Sequence, residues 1–436
     1  MMEFEMATRI LSDDERSLVD VAHRVLPGGN FGNMPNETVI RAGRGGRVWD
    51  VSGNEYVDFL LSSGPMLVGH AHPEVNQAVI AQVERGSSFF ANNEHGILLA
   101  AAIVDAVPCA EQVRFASSGT EADAYAMRLA RAFRKRSKIL KFEGGYHGMS
   151  DYGLMSLWPS HASNSTRAIP DTAGIPESVQ GEMLVAPFND LAAATAIIHA
   201  HHDELAAIIV EPMQRLVPPV PGFLQGLRDI TAQYGILLIF DEVVTGFRFA
   251  YGGAQEYYGV TPDICTLGKV IGGGYALSAV AGRADIMAHF DRGRVDASEF
   301  MPQIGTLSGN PIAAIAGLAT LEILRRPGAY ERIFANGRAV WAGLEQSLKD
   351  AGIPALILGE PPMFDAMFTN RSSIIDYRGT LDVDQAMSRR FNDLVRANGV
   401  FKSDGKLYIS LAHDEQDISV AINAFKVAAA GVTAPL

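Results

Sequence analysis

The sequence predicts an α/β fold: a mostly parallel sheet flanked by helices, followed by a smaller and more charged region. Three observations carry this expectation. Short apolar runs, Lys138–Phe142, Ala207–Val210 and Ile236–Phe240, alternate with stretches of helical spacing. Two of those runs end on acidic residues, Glu211 and the pair Asp241-Glu242, at the strand ends where open parallel sheets bind ligands. Beyond Pro327 the composition becomes more charged, and helix, strand and helix candidates follow to the C-terminus.

In chain order, Leu11–Val25 has helical spacing and stops at Pro27-Gly28-Gly29. Arg47–Leu61 reads as a hairpin, two β-rich runs around Ser52-Gly53-Asn54. Glu74–Glu84 is a helix behind Pro73, and Val113–Phe115 a short strand. Ser117–Glu121 opens a helix reaching about Arg134. The strand Lys138–Phe142 follows, then the strand Ala207–Val210, a helix over Pro221–Tyr234 and the strand Ile236–Phe240. Thr266–Gly268 and Ala276–Ala281 are further strands, and Ser308-Gly309-Asn310-Pro311 starts a helix over Ile312–Leu324.

With 436 residues, 48% of them hydrophobic, the chain is long enough for a large core and two domains. A net charge of −13 argues against nucleic acid as a partner, because the basic residues cluster only in the run Arg131–Lys138, which reads as a solvated helix end. Cys109 and Cys265 are the only cysteines and form no C-x-x-C, which points to a reduced cytoplasm. The acidic start lacks the cationic and apolar regions of a signal peptide, and no apolar stretch reaches the ~18 residues of a membrane span.

Several segments carry residue types suited to chemistry. Asp241 stands at the end of an apolar strand, and Lys269 lies in the apolar, glycine-rich run Leu267–Gly274. Burial there would lower the lysine's pKa and make its amine nucleophilic. A lysine for a Schiff base and a carboxylate for a pyridine nitrogen are what a pyridoxal phosphate enzyme needs. Taken alone, Asp241 reads equally well as a solvated strand-end cap. Ser117-Ser118-Gly119-Thr120-Glu121 offers hydroxyls and free N–H groups at a helix start, suited to a phosphate, although by itself it is also an ordinary helix cap. Tyr146 and His147 sit in a glycine-rich turn where the tyrosine could lie flat on a planar ring. The histidines His70, His72, His199, His201 and His202 lack the acidic or cysteine partners and the spacing of a zinc site, so no metal is expected.

Together these segments resemble the class III pyridoxal phosphate-dependent aminotransferases, and within them the branch similar to glutamate-1-semialdehyde 2,1-aminomutase. The resemblance rests on residues 117–131 (SSGTEADAYAMRLAR), 141–148 (KFEGGYHG), 208–213 (IIVEPM), 236–274 and 305–313 (GTLSGNPIA), which match in order along nearly the whole chain. It implies the fold-type I architecture: a large cofactor domain at 61–325 and a smaller α+β domain from both chain ends, 1–60 and 326–436. It also implies the cofactor pyridoxal 5'-phosphate and a role for each matching residue. Lys269 would form the Schiff base and later shuttle a proton, while Asp241 would hold the ring nitrogen. Val243 and Tyr146 would cover the two ring faces. Ser118, Gly119 and Thr120 would bind the phosphate, and Thr306 would reach it from a partner subunit, making the enzyme a homodimer with shared active sites. Glu211 would lie near the cofactor's 3-hydroxyl, and His147 is counted with the cofactor-binding residues.

The departures from the mutase pattern lie in the substrate pocket. Residues 27–38 hold no arginine, with Pro35 at about the place where the mutase has one for the substrate carboxylate. Ser63 replaces a tryptophan, and residues 401–414 replace a glutamate-bearing loop, leaving Lys402, Ser403, Asp404 and Lys406 as polar candidates. Arg215 is a candidate replacement for the carboxylate ligand, against the alternative of a surface arginine in a proline-rich loop. The expected activity is a ping-pong transfer between an amine or amino acid (a β-amino acid among the candidates) and an oxo acid. The alternatives are the intramolecular mutase and, from another class, a non-catalytic pyridoxal phosphate-binding protein.

Overall fold

The computed structural model describes residues 9–34, 37–159 and 166–433. Pro35 lies outside them. The chain divides into two compact units, one of Met1–Pro73, Gly328–Ser372 and Val383–Leu436, the other of Glu74–Pro327 and Ser373–Asp382.

The larger unit is built on a seven-stranded sheet. In chain order its strands are β1 (Gln112–Ala116), β2 (Lys138–Phe142), β3 (Met183–Ala186), β4 (Leu205–Val210), β5 (Leu237–Glu242), β6 (Ile264–Leu267) and β7 (Ser278–Gly282). Their spatial order is β1-β7-β6-β5-β4-β2-β3. All are parallel except β7, which runs antiparallel to both neighbours. Every residue of β4 and β5 is buried, which is why these strands read as unbroken apolar runs rather than alternating ones. Among the helices of this unit are α1 (Glu94–Ala106), α2 (Gly119–Arg134), α3 (Leu191–His201), α4 (Phe223–Tyr234) and α5 (Pro311–Leu324). The α2 helix lays Ala122, Ala126, Met127 and Ala130 on the sheet, small side chains that allow a close approach. The α5 helix comes closer still to the turn after β6: a Cβ on Gly317 would meet the Ile271 carbonyl oxygen at 2.0 Å, so only glycine fits there.

The expected strands are present with shifted ends: Ala207–Val210 begins at Leu205, and Ile236–Phe240 continues through Asp241 and Glu242. Sequence reading passed over β3, α1 and α3. The α3 helix contains His199 and His201 in its last turn. Its run of alanines has little amphipathic contrast, so spacing could not mark it.

The smaller unit holds the expected hairpin, Arg47–Asp50 against Glu55–Asp58, extended by Ile40–Arg44 on one side and by Val400–Phe401, in parallel, on the other. A second sheet joins Ala355–Glu360, Met363–Phe368 and Leu407–Tyr408. The helices Ala329–Asp350, Gln385–Ala397 and Glu415–Thr433 pack together beside these strands. Ser12 caps the first helix, Asp13–Val25, by accepting from the Glu15 N–H.

Candidate active site

The C-terminal ends of the parallel strands gather the chemistry of the larger unit. The β5 strand delivers Asp241 and Glu242 together, and alternation sends them to opposite faces. Glu242 is spent on structure: it accepts from the Ala254 N–H at 2.6 Å and the Thr245 hydroxyl at 3.0 Å, fixing the turn after β5. Asp241 faces the other way. Its Oδ2 lies 2.8 Å from His147 Nδ1, and its Oδ1 accepts from the Val243 N–H at 3.1 Å. His147 is buried, and its Nε2 has no hydrogen-bond partner among the described residues. Thr266, on neighbouring β6, has its hydroxyl 2.6 Å from Asp123 Oδ1 and 3.5 Å from Asp241 Oδ1. Asp123, His147 and Asp241 thus bring one ligand atom each within 4.8 Å of one another.

Lys269 follows β6 by two residues, on a short 3-10 turn whose neighbours Gly268 and Val270 are buried. Its φ of +48° is a left-handed conformation that a side chain adopts only when its surroundings hold it there. Thr266 pairs with Asp241 in the sheet register, so the lysine turn and the carboxylate occupy adjacent strand ends. Val243 fills the space between Gly119 and Gly268, 3.1 Å from where a Cβ of either would stand.

The loop before α2 is a full capping box. Ser118 Oγ accepts from the Glu121 N–H, while Glu121 accepts from the N–H groups of Ser117 and Ser118. The expected cap is therefore real and uses those two donors. The first N–H groups of the helix, at Gly119 and Thr120, point where a helix start attracts an anion. Thr120 Oγ1 accepts from the Met149 N–H at 3.1 Å. This ties the α2 start to the turn that carries Tyr146 and His147.

Glu211, just past β4, organises that turn. One oxygen accepts from the Tyr146 N–H at 2.7 Å and the other from the Arg215 N–H at 3.3 Å. The Arg215 guanidinium lies 5.2 Å above the Tyr146 ring, and its Nε donates to the Gly144 carbonyl at 3.1 Å. Arg215 is thus half-buried over an aromatic ring, which a solvated loop arginine would not be. It makes no ion pair among the described residues. Burial pushes the Tyr146 hydroxyl upward in pKa, with Arg215 opposing.

Two groups escaped sequence reading. Gln214 is buried, donates to the Glu143 carbonyl at 2.7 Å, and leaves Oε1 without a partner. Its place after Glu211-Pro212-Met213 was the only signal. The segment Ser373–Asp382 also joins this unit: Arg378 pairs with Glu143 at 2.6 Å, and Tyr377 packs on Gly144. That contact is long-range and leaves no local trace.

Three further expected residues have the following surroundings. Thr306 is exposed on the turn before α5, beside Phe89, Phe90 and Ile304 on a cavity of about 840 Å³. Ser63 belongs to the smaller unit, in a run of left-handed residues from Leu61 to Ser63. Asp58 steadies that run by accepting from the N–H groups of Leu60 and Leu61 and by binding His70 at 2.6 Å. Lys402, offered as a substrate ligand, is buried in the same unit with its Nζ 2.9 Å from Asp365 and 2.7 Å from Asn392 Oδ1. Within its own unit that ammonium is thus engaged by an aspartate and an asparagine.

A sequence model of the family described as "Aminotransferase class-III" matches residues 30–400. The glutamate-1-semialdehyde 2,1-aminomutase of Pelotomaculum thermopropionicum is 42% identical over 436 residues, covering 95% of this chain and 98% of that protein. Among solved structures, an omega-transaminase from Sphaerobacter thermophilus superposes with a TM-score of 0.92 at 36% identity, covering 96% of this chain and 98% of its own. A beta-phenylalanine aminotransferase from Variovorax paradoxus superposes at 0.84 with 32% identity, covering 95% and 93%. A family match spanning residues 30–400, with a relative 42% identical over 95% of the chain, shows that this chain belongs to the class-III aminotransferases.

Proposed function

We propose that this protein is a pyridoxal phosphate-dependent transaminase that exchanges an amino group between an amino acid, including β-amino acids, and an oxo acid. The observation that carries the reading is Lys269, held left-handed beside the strand end that bears the Asp241–His147 pair. The residues present fit the cofactor. Asp241 offers a carboxylate to a ring nitrogen, the buried Gln214 Oε1 lacks a donor, and the N–H groups of Gly119 and Thr120 open a helix. When bound, pyridoxal phosphate supplies the carbonyl that takes up the amine and a cationic ring that withdraws electrons from the substrate carbon.

The remaining work falls to the chain. Lys269 would hold the cofactor through its Nζ and would carry the substrate's proton at that atom. Asp241, oriented by His147, would face the ring nitrogen. Val243 and Tyr146 would confine the ring from two sides. Glu211 fixes the backbone of Tyr146 and Arg215, and Arg215 offers its outer nitrogens to a substrate carboxylate.

Thr306 supports a shared site. It is exposed in a single chain and lines one cavity with the exposed Phe89, Phe90, Ile97 and Ile304, a patch suited to cover by a second copy. The two buried, unpaired cysteines fit a reducing cytoplasm. Among the described residues no helix is long and apolar enough to cross a membrane.

The test is spectroscopic. Purified protein carrying pyridoxal phosphate should lose its visible absorption with a suitable amino donor and regain it with an oxo acid, with parallel-line ping-pong kinetics. A spectrum that no amine among a broad panel alters would end the transaminase reading. The second reading, the intramolecular mutase, draws on the 42% identical relative. Turnover of glutamate-1-semialdehyde without any second substrate would establish it instead.

A further inference from the structure

Asp123 is a carboxylic side chain on the wrong face of its helix. It lies in the first turns of α2, on the side whose other residues are Ala122, Ala126, Met127 and Ala130, and only 2% of it is exposed. The groups that face it come from four places. The β5 strand presents Asp241, β6 the Thr266 hydroxyl, the end of β4 Glu211, and the turn after β2 His147 and Tyr146. The β7 strand, which also packs on α2, carries no titratable residue.

A carboxylate sealed from water beside two other carboxylates, with no lysine or arginine among its main influences, is an unfavourable place for a second negative charge. Thr266 has one hydroxyl proton and stands 2.6 Å from Asp123 but 3.5 Å from Asp241, so it satisfies Asp123. Asp123 and Asp241 each bring a carboxylate oxygen within 4.8 Å of the other, and two buried carboxylates that close are relieved by a proton on one of them. His147 Nδ1 and the Val243 N–H already engage the two Asp241 oxygens.

We propose that Asp123 is a positioning residue that stays protonated, donates its own O–H to Asp241, and accepts from Thr266, leaving a single negative charge at the cofactor's ring nitrogen. Burial, followed by the charge of Asp241, pushes Asp123 well above the ordinary carboxylate range, in line with this assignment. A third donor on Asp241 favours its charged form and so keeps the carboxylate–ring-nitrogen pair ionic. The inference rests on the transaminase reading for the cofactor but makes its own claim about one proton.

The test uses the holoenzyme. Infrared difference spectra of wild type against Asp123→Asn should show a protonated carboxyl stretch that the variant lacks. Thr266→Val, which removes the donor to the Asp123 carbonyl oxygen, should move that band to higher frequency. The pH midpoint of the cofactor's visible absorption should stay within about 0.3 units in Asp123→Asn, because asparagine mimics a neutral acid. It should shift by about one unit in Asp123→Ala, where the donor is gone. Absence of the carboxyl band, or a shift of about one unit or more in Asp123→Asn, overturns the proposal alone. A wild type that takes up no pyridoxal phosphate overturns the transaminase reading as well.

Discussion

His147 Nδ1 stands 2.8 Å from Asp241 Oδ2, with both side chains sealed from water. The two residues lie 94 positions apart and meet because the turn after β2 folds over the end of β5. A hydrogen bond to a charged group contributes about 1.5–3 kcal/mol. His147→Ala should therefore lower kcat/KM by roughly 10- to 100-fold and weaken cofactor retention. Asp241→Asn should still bind the cofactor but lose most activity, since the cation at the ring nitrogen is no longer favoured. Steady-state kinetics and dialysis against buffer without cofactor measure both effects, and full activity in Asp241→Asn would sink the electron-sink assignment.

Arg215 should act on substrate affinity more than on turnover. Its guanidinium is held by Gly144 and the Tyr146 ring but by no carboxylate among the described residues. Arg215→Ala is expected to raise KM for carboxylate-bearing substrates about 10- to 100-fold with a smaller change in kcat, the pattern of lost uniform binding. Amines without a carboxylate should be nearly unaffected. Equal losses for both substrate classes would show that the arginine acts through Tyr146 instead.

Lys141 should make stability depend on pH. It is fully buried, donates to the carbonyls of Gly153 and Met155, and burial lowers its pKa to about 7. The unfolded chain keeps the lysine proton up to its ordinary value of 10.5, while the folded chain releases it near 7. Between those values the unfolded state binds more protons, so this residue adds stability as pH rises, and below about 7 the full cost of the buried charge is present. Relative to Lys141→Met, wild type should gain up to about 1.4 kcal/mol per pH unit across that window. Denaturant unfolding of both proteins at pH 6, 8 and 9.5, held as experimental settings of roughly those values, measures the difference. A constant difference would show that Lys141 stays charged throughout.

Gly148 joins the Tyr146 turn to the start of α2. Its φ is +78°, and a Cβ there would stand 2.5 Å from Thr120 Cα. Gly148→Ala should cost about 2–4 kcal/mol through strain and backbone collision. It should also weaken phosphate binding by displacing Thr120. Thermal melts and titration with pyridoxal phosphate report the two effects separately.

Much of the site was legible because its signals are local. Asp241 ends an apolar run, Ser118 and Glu121 have the spacing of a capping box, and Lys269 sits in a glycine-rich turn, so each could be named from a few adjacent residues. Lys402 shows the opposite case. A lysine in a polar loop reads as solvated, yet it is buried with its ammonium against Asp365 and Asn392, which loop composition does not reveal. Arg215 was open between a ligand and a surface residue until its place over the Tyr146 ring was visible.

The sequence by itself determined the parallel sheet, the carboxylate and the lysine at its strand ends, and the helix start that suits a phosphate. Strand burial and helix capping are short-range properties that hydrophobic runs and residue spacing record directly. Only the tertiary structure decided that Glu242 is structural while Asp241 faces the site, that His147, Thr266 and Asp123 converge on Asp241, and that Gln214 keeps an unpaired acceptor. Those outcomes depend on which way each side chain points and what comes within about 3 Å of it through space. They also depend on how little water remains between buried charges.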